Sequence, residues 1–199
     1  MTEPLKSPMG LEKINVKLFA DAPPDFDYDV LLAIFGRWRL EPGEEIMDLA
    51  DYAHVDHGPN CLLVSHRWHF GLDLAQGKPS FMLSVRKGLS GSPAERISQA
   101  LRLLLEKTRR LLSEPDCPGT LKPRCGEIEI VLNDRLAAPN TQETGLQWRP
   151  GLDQVLSRLY RSGDLEVLVE QDRARRLGWA VRSRAGASLS LDELLQRLE

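Results

Sequence analysis

Apolar and polar residues alternate in several stretches of the chain, and this period-two pattern predicts β-strands. The first is Ile14-Asn-Val-Lys-Leu-Phe-Ala20, and four more follow a short helical stretch without another helix between them. Turn residues such as those of Gln76-Gly-Lys-Pro79 separate the neighbouring strands. The predicted strands span residues 14–20, 46–52, 61–66, 68–74, 81–85, 127–132, 165–169 and 177–181.

Four stretches have apolar residues at helical spacing instead. They begin at Asp29, after Ser92, at Pro150 and after Ser190, and both serines are followed three residues later by glutamate, as in a capping box. In the second helix, leucines around Leu101 predict a buried side. Basic side chains predict its solvated side: Arg96, Arg102, Lys107, Arg109 and Arg110. The polar residues before Pro150, from Leu136 onward, predict either a lid over a site or a surface loop.

The resulting order is strand, helix, four strands, helix, strand, helix, two strands, helix. It predicts an α+β fold, mainly an antiparallel sheet with helices on one face. Two arrangements are compatible with this order: a ferredoxin-like frame and a duplicated strand-helix-strand-strand unit. We expect a disordered tail over residues 1–11 and a single domain over 12–199, with a possible sub-division near 115–125.

Composition agrees with a globular domain, since 42% of the 199 residues are hydrophobic and 28% are charged. The net charge is −7 over residues 1–60, +6 over 61–125 and −2 over 126–199. With a pI of 5.9 and basic residues spread along the chain, nucleic acid is not an expected partner. No stretch approaches the roughly 18 apolar residues of a membrane span, so we expect no membrane association either.

Three cysteines, Cys61, Cys117 and Cys125, form an odd set with no Cys-x-x-Cys pair. This usage is typical of a reducing compartment, because a disulfide framework needs paired cysteines. The N-terminal residues contain no apolar core of a signal peptide. Both features predict a cytoplasmic location.

All four histidines lie within sixteen residues, as His54-x-x-His57 and His66-x-x-His69. Imidazole and carboxylate groups at this density are the ligands of divalent transition metals and the components of general-base catalysis. The candidate metal ligands are Asp51, His54 and His57, and the candidate catalytic residues are Asp51, His54 and His66. No organic cofactor is expected, because the phosphate-binding glycine motifs are absent.

Three segments also resemble a group of bacterial proteins without an assigned function: Val16–Ala20, Asp48–Val55 and Gly58–His66. The resemblance covers the N-terminal half of the chain. It implies a bacterial, cytosolic protein and transfers no role to any residue.

The leading hypothesis is a non-catalytic binding or protein-interaction module, because no motif of the chain is specific for catalysis. Its partner is expected to be another protein or a second copy, bound through a strand edge or the amphipathic helix around Leu101. The alternative is a metal-assisted or general-base hydrolase that uses Asp51, His54, His57 and His66. An enzyme requires these groups to converge in one pocket, whereas a binding module requires a surface patch.

Overall fold

The computed structural model describes residues 11–23, 26–43, 45–52, 59–73, 77–161 and 164–199. They form an α+β fold in which four helices pack against an eight-stranded antiparallel sheet. The strands are β1 (Ile14–Asp21), β2 (Ile46–Asp51), β3 (Pro59–Ser65), β4 (Trp68–Asp73), β5 (Ser80–Val85), β6 (Lys122–Leu132), β7 (Leu165–Val169) and β8 (Gly178–Ser183). The helices are α1 (Asp29–Arg39), α2 (Pro93–Leu112), α3 (Gln142–Tyr160) and α4 (Leu191–Arg197), with a short 3₁₀ turn at Ala185–Ser188.

The strand order across the sheet is β2-β3-β4-β5-β1-β6-β8-β7, and each pairing between these strands is antiparallel. The run of four consecutive strands, β2 to β5, is confirmed. Strands β1 and β6 are neighbours near the centre, with β5 on the outer side of β1 and β8 on the outer side of β6. In a split βαβ frame an antiparallel strand separates the two parallel ones, and the order β4-β5-β1-β6 of the described sheet is compatible with the ferredoxin-like frame, with β2 and β3 as the inserted hairpin.

The core lies between one face of the sheet and the helices. Along β1, alternate residues are fully buried, beginning with Ile14, Val16 and Leu18. Their partners on β5 and β6 face the same side, since cross-strand neighbours share a face: Phe81, Leu83, Val85, Ile128, Ile130 and Leu132. Leu11, the last residue of the predicted tail, is buried in the core, and residues 1–10 of that tail lie outside the described residues. One core cluster includes residues on both sides of 115–125.

Helix α2 crosses the middle of this layer and contacts β1, β5, α3 and α4. The predicted capping box is confirmed, with Ser92 and Glu95 bonding each other's backbone amides. The predicted solvated face is wrong at two positions. The Arg96 guanidinium is buried and donates to the carbonyls of Leu11 and Gly91, and the buried Lys107 ammonium lies 3.9 Å from the centre of the Trp68 ring.

Leu101 is 2% exposed, because α2 is enclosed by the sheet, α3 and α4. The side of α2 around Leu101 is therefore part of the core of this chain. A partner could not reach it without unfolding the helical layer, which leaves the strand edges and the sheet face as surfaces for an interaction.

Helix α3 begins eight residues before Pro150, so both predictions for that segment, a lid and a surface loop, are wrong over residues 142–150. The helix is capped at Thr141, whose hydroxyl accepts a hydrogen bond from the amide of Thr144. Buried Trp148 lies in the first half and continues the apolar stripe of Leu152. Pro150 lies on the exposed side of the helix, away from the buried residues Trp148 and Leu152.

The predicted connector 117–125 is also partly wrong, because β6 starts at Lys122. The extra residues pair with the end of β1, where Asp21 lies opposite Lys122. The register of this pairing shifts between Leu18 and Ala20. Among the described helices, none has the length and apolar character needed to cross a membrane.

Candidate functional site

The structure places Asp51 at the end of β2 with an exposed side chain. His54 and His57 lie outside the described residues, so the metal set of Asp51, His54 and His57 and the catalytic use of His54 stay predictions. Among the residues that the structure describes, no three His, Cys, Asp or Glu side chains gather in a metal-binding group.

His66 lies at the opposite end of β3 from Asp51. Asp51 is the cross-strand neighbour of Cys61, whereas Ser65, the residue before His66, is the neighbour of Ile46. Four residues of extended strand, or about 13 Å, separate Cys61 from Ser65. The structure therefore does not bring Asp51 and His66 together.

Ser65 has a structural role in the turn between β3 and β4. Its buried hydroxyl accepts hydrogen bonds from the backbone amides of Arg67 and Trp68, each at 3.2 Å. His66 points into solvent beside it. The serine oxygen is thus committed to the turn and does not face the neighbouring imidazole.

Two other groups of the histidine region have pKa values shifted toward their neutral forms. Burial, with the carboxylate of Asp51 as a smaller cause, raises the pKa of the Cys61 thiol to about 12, so the reactive thiolate is suppressed. Burial and then the nearby Arg86 lower the pKa of His69, which is half-buried on β4. These shifts disfavour the thiolate of Cys61 and the imidazolium of His69.

A concavity of the described surface lies on the sheet face opposite the core. It is a groove of about 600 Å³ over β1, β6, β8 and β7. The β4–β5 turn borders it with Lys78 and Pro79, and the β7–β8 hairpin borders it with residues 170–176. We call it the sheet-face groove.

The floor of the sheet-face groove combines apolar side chains with the carboxylate of Glu129, which lies between Lys17 and Ala180 in one cross-strand row. Its apolar side chains include Phe19, Val131, Ala180 and Leu168, one from each of the four strands. Leu168 is 54% exposed, which is unusual for a leucine in a strand. Water that lies on this floor would be released by an apolar partner.

Charged side chains form a row of cross-strand pairs along one side of the groove. Arg182 on β8 lies 3.8 Å from Glu166 on β7 and 3.9 Å from Glu127 on β6. Glu127 also approaches Arg124 at 3.5 Å, and Arg124 pairs with Asp21 on β1. The result is a ladder of alternating charge that crosses four strands.

A second polar group lies towards β4. The Lys17 ammonium is 2.7 Å from the Asp73 carboxylate, whose side chain is 6% exposed. On the adjoining row, the Asn15 side-chain oxygen accepts hydrogen bonds from the Ser84 hydroxyl at 2.8 Å and from the Asn133 amide at 3.0 Å. These bonds hold the polar side chains beside the groove in place.

Sequence reasoning placed the candidate site around the histidines and missed the groove. One signal was present: the alternation in Glu127-Ile-Glu-Ile puts carboxylates on the outer face of that strand. The groove also needs β1, β7 and β8 beside β6, and the order of strands that are distant in sequence cannot be obtained from the periodicity of each one.

Comparison of the chain with protein-family models, with curated proteins and with solved structures finds no match. The resemblance of the N-terminal half to a group of bacterial proteins therefore stays a prediction. The geometry of the sheet-face groove is the basis for a functional conclusion.

Proposed function

We propose that this protein is a non-catalytic binding module that holds a segment of a partner protein in the sheet-face groove. The observation that carries the proposal is the sheet face itself, which no described helix covers and which combines exposed apolar side chains with paired charges. An exposed apolar patch with a polar rim is typical of protein-binding surfaces.

The charge pattern favours a protein over a nucleic acid. Among the described lining residues, six are basic and four are acidic, and Lys17, Arg124, Arg175 and Arg182 each have a carboxylate within 4 Å. Phosphate binding requires cations that are not already neutralised. The groove is also open across four strands, whereas small-molecule sites enclose most of their ligand.

Two cations define the chemistry of the partner. Lys78 and Arg176 lie in the β4–β5 turn and at the end of the β7–β8 hairpin, and neither forms an ion pair within the described part of the chain. We infer a partner segment with apolar side chains for the floor and carboxylates for these cations. Charges at the rim of a binding surface mainly increase the association rate and the specificity.

We also infer that the sheet is built from a duplicated strand-helix-strand-strand unit. In this interpretation β1, α1, β4 and β5 correspond to β6, α3, β7 and β8, and each unit is followed by a further helix. The symmetric strand order about the β1–β6 pair supports it. The β2–β3 hairpin is then an addition to the first unit.

A random peptide library displayed on phage tests the binding function. We expect selected peptides to be rich in acidic and apolar residues and to lose at least about tenfold in affinity for A180R, which fills the floor with a long cation. K78E should weaken the same peptides by a smaller factor, because one rim charge is reversed.

The matched control is A137R, which adds the same side chain at an exposed alanine outside the groove. It should bind the peptides like the unmodified protein. Equal binding by A180R, selection of basic peptides, or failure to select any peptide would each overturn the proposal. Fluorescence anisotropy with the purified peptides gives the dissociation constants.

A further inference from the structure

The outer edge of β7 lacks the features that normally keep a strand edge from pairing. Its sequence, Leu165-Glu-Val-Leu-Val169, is four-fifths apolar, with no lysine, no proline and no bulge in its pairing with β8. The other edge strand, β2, has a register shift between Ile46 and Asp48 and ends at Asp51. The two edges of the sheet are therefore unequal.

Hydrogen bonding to β8 shows which backbone groups of β7 face outward. The Glu170 amide donates to the Gly178 carbonyl at 3.0 Å, so this pair is a hydrogen-bonded one. Hydrogen-bonded and non-bonded pairs alternate along an antiparallel ladder. Counting back from Glu170, residues 168 and 166 bond β8, and the N–H and C=O groups of Leu165, Val167 and Val169 point away from the sheet.

We propose that β7 pairs antiparallel with β7 of a second copy of this chain, about a two-fold axis at Val167. In this register Val167 faces Val167, and Leu165 faces Val169 in both directions. The outward groups at these three positions then form three hydrogen-bonded pairs, or six hydrogen bonds, and the two sheets become continuous. A two-fold axis uses the same surface on both copies and closes the assembly as a dimer.

The side chains agree with this register. On the core side, half-buried Leu165, Val167 and Val169 meet apolar partners. On the other side Leu168 lies opposite Glu166, so no like charges are directly opposed within the strand. Beyond the strand, Glu170 is opposite Asp164 of the second copy. Its ion pair with Arg175, at 3.5 Å, offsets that repulsion.

The first half of the chain shows how the equivalent edge is satisfied. Under the duplication proposed above, β7 corresponds to β4, and the outer edge of β4 is paired antiparallel with β3 over Pro59–Ser65. The second half has no such hairpin among its described elements. A second copy of β7 supplies an antiparallel strand at the position that β3 occupies beside β4.

One contact limits the strength of the dimer. The side-chain amide of Gln171 donates to the outward carbonyl of Val169 at 3.1 Å and must leave it before the second copy can bind. The interface is also short, so we expect a transient dimer with a dissociation constant of roughly 100 µM. Q171A should strengthen the dimer about two- to fivefold, because the Val169 carbonyl then starts unoccupied.

Sedimentation velocity of the full chain, from about 5 to about 500 µM, tests the proposal. V167P removes the central outward N–H and leaves the bonds to β8 intact, since Val167 does not donate to β8. We expect it to weaken the dimer at least about tenfold. L168E places like charges opposite each other, and the double variant L168E/E166K should restore association.

The matched control is M47E, which puts the same charge at an exposed apolar residue of the β2 edge and should leave the dimer unchanged. A monomer at all concentrations, or a dimer that V167P and L168E do not affect, would overturn the proposal. Circular dichroism of each variant verifies that it is folded. The dimer does not depend on the peptide-binding function: A180R should weaken peptide binding at least about tenfold and leave the sedimentation behaviour unchanged.

Discussion

Glu114 connects α1 to the end of α2, and its removal should destabilise the protein in a pH-dependent way. Its Oε1 accepts a hydrogen bond from the Trp38 indole N–H at 2.6 Å, and its Oε2 accepts one from Arg37 at 3.0 Å. The Glu114 side chain is 19% exposed and Trp38 is buried. E114A would therefore leave a buried indole N–H without its acceptor.

The magnitude follows from the type of bond that is lost. A hydrogen bond to a charged acceptor contributes about 1.5–3 kcal/mol, because the buried donor has no access to water when the acceptor is removed. We expect E114A to lower the free energy of unfolding by about 2 kcal/mol at pH 7, or about 4–8 °C in melting temperature. E114Q keeps an acceptor for the indole and should lose about half as much.

The sign of the pH dependence follows from the carboxylate. The bond from Trp38, followed by the Arg37 interactions, holds the pKa of Glu114 below its ordinary value, against the opposing effect of burial. Because the pKa is lower in the folded state, the stabilisation is complete above the unfolded value near 4.3 and is lost as pH falls through the folded one. The difference between the unmodified protein and E114A should therefore shrink below about pH 4.

Urea unfolding followed by far-UV circular dichroism, at pH 7 and in steps down to about pH 3, measures this difference. D116A is the control, since Asp116 also pairs with Arg37, at 2.9 Å, but is 61% exposed and does not contact the indole. D116A should change the midpoint little. An E114A deficit that is equal at all pH values, or matched by D116A, would refute the reasoning.

Three further substitutions test the packing by thermal and urea unfolding. W148A should cost about 3–5 kcal/mol, because a buried indole is replaced by a cavity, and a cost below about 1 kcal/mol would contradict the core assignment of α3. G71A should prevent stable folding, because its Cβ would overlap the Cys61 carbonyl oxygen; a normal melting temperature would disprove this contact. P150A should stabilise α3 by about 1–2 kcal/mol through a restored helical hydrogen bond, and a loss would show that the ring is needed.

Elements with a strong local signal could be predicted from the sequence. The capping box of Ser92 and Glu95 and the period-two pattern of 14–20 each depend on neighbouring residues, and the structure confirms both elements. Helix α3 was missed in its first half because Pro150 is an equally local signal for a helix start. Trp148 and Leu152, spaced by one helical turn, were the indication that the helix extends further back.

Burial of Arg96 and Lys107 shows the limit of this reasoning for side chains. Both fall on the polar side of the pattern in α2, and helical periodicity alone cannot tell that Leu11 and Trp68 cover them. Arg96 is satisfied by backbone carbonyls and Lys107 lies on an aromatic ring, so each cation has an acceptor in place of water. The covering segments come from other parts of the chain.

The same limit applies to the functional site. Histidines suggest a functional site from the sequence alone, because few side chains share their chemistry. Phe19, Ala180 and Leu168 give no such signal, since only the order of the strands in the sheet places them in one groove. Asp51 and His66 are close in sequence and are kept apart by the register of β2 and β3. Long-range strand pairing thus both forms the groove and separates part of the predicted catalytic set.

The unequal edges of the sheet connect the fold to the proposed interactions. The β2–β3 hairpin pairs with the outer edge of β4. The edge strand on that side of the sheet is therefore β2, which has a register shift and acidic side chains. Strand β7 has no corresponding cover within the described chain, and it also forms one wall of the sheet-face groove. Pairing through β7 would therefore place two grooves side by side on one continuous sheet. A partner with two acidic and apolar segments would then bind the dimer more tightly than the monomer, because the second contact is intramolecular.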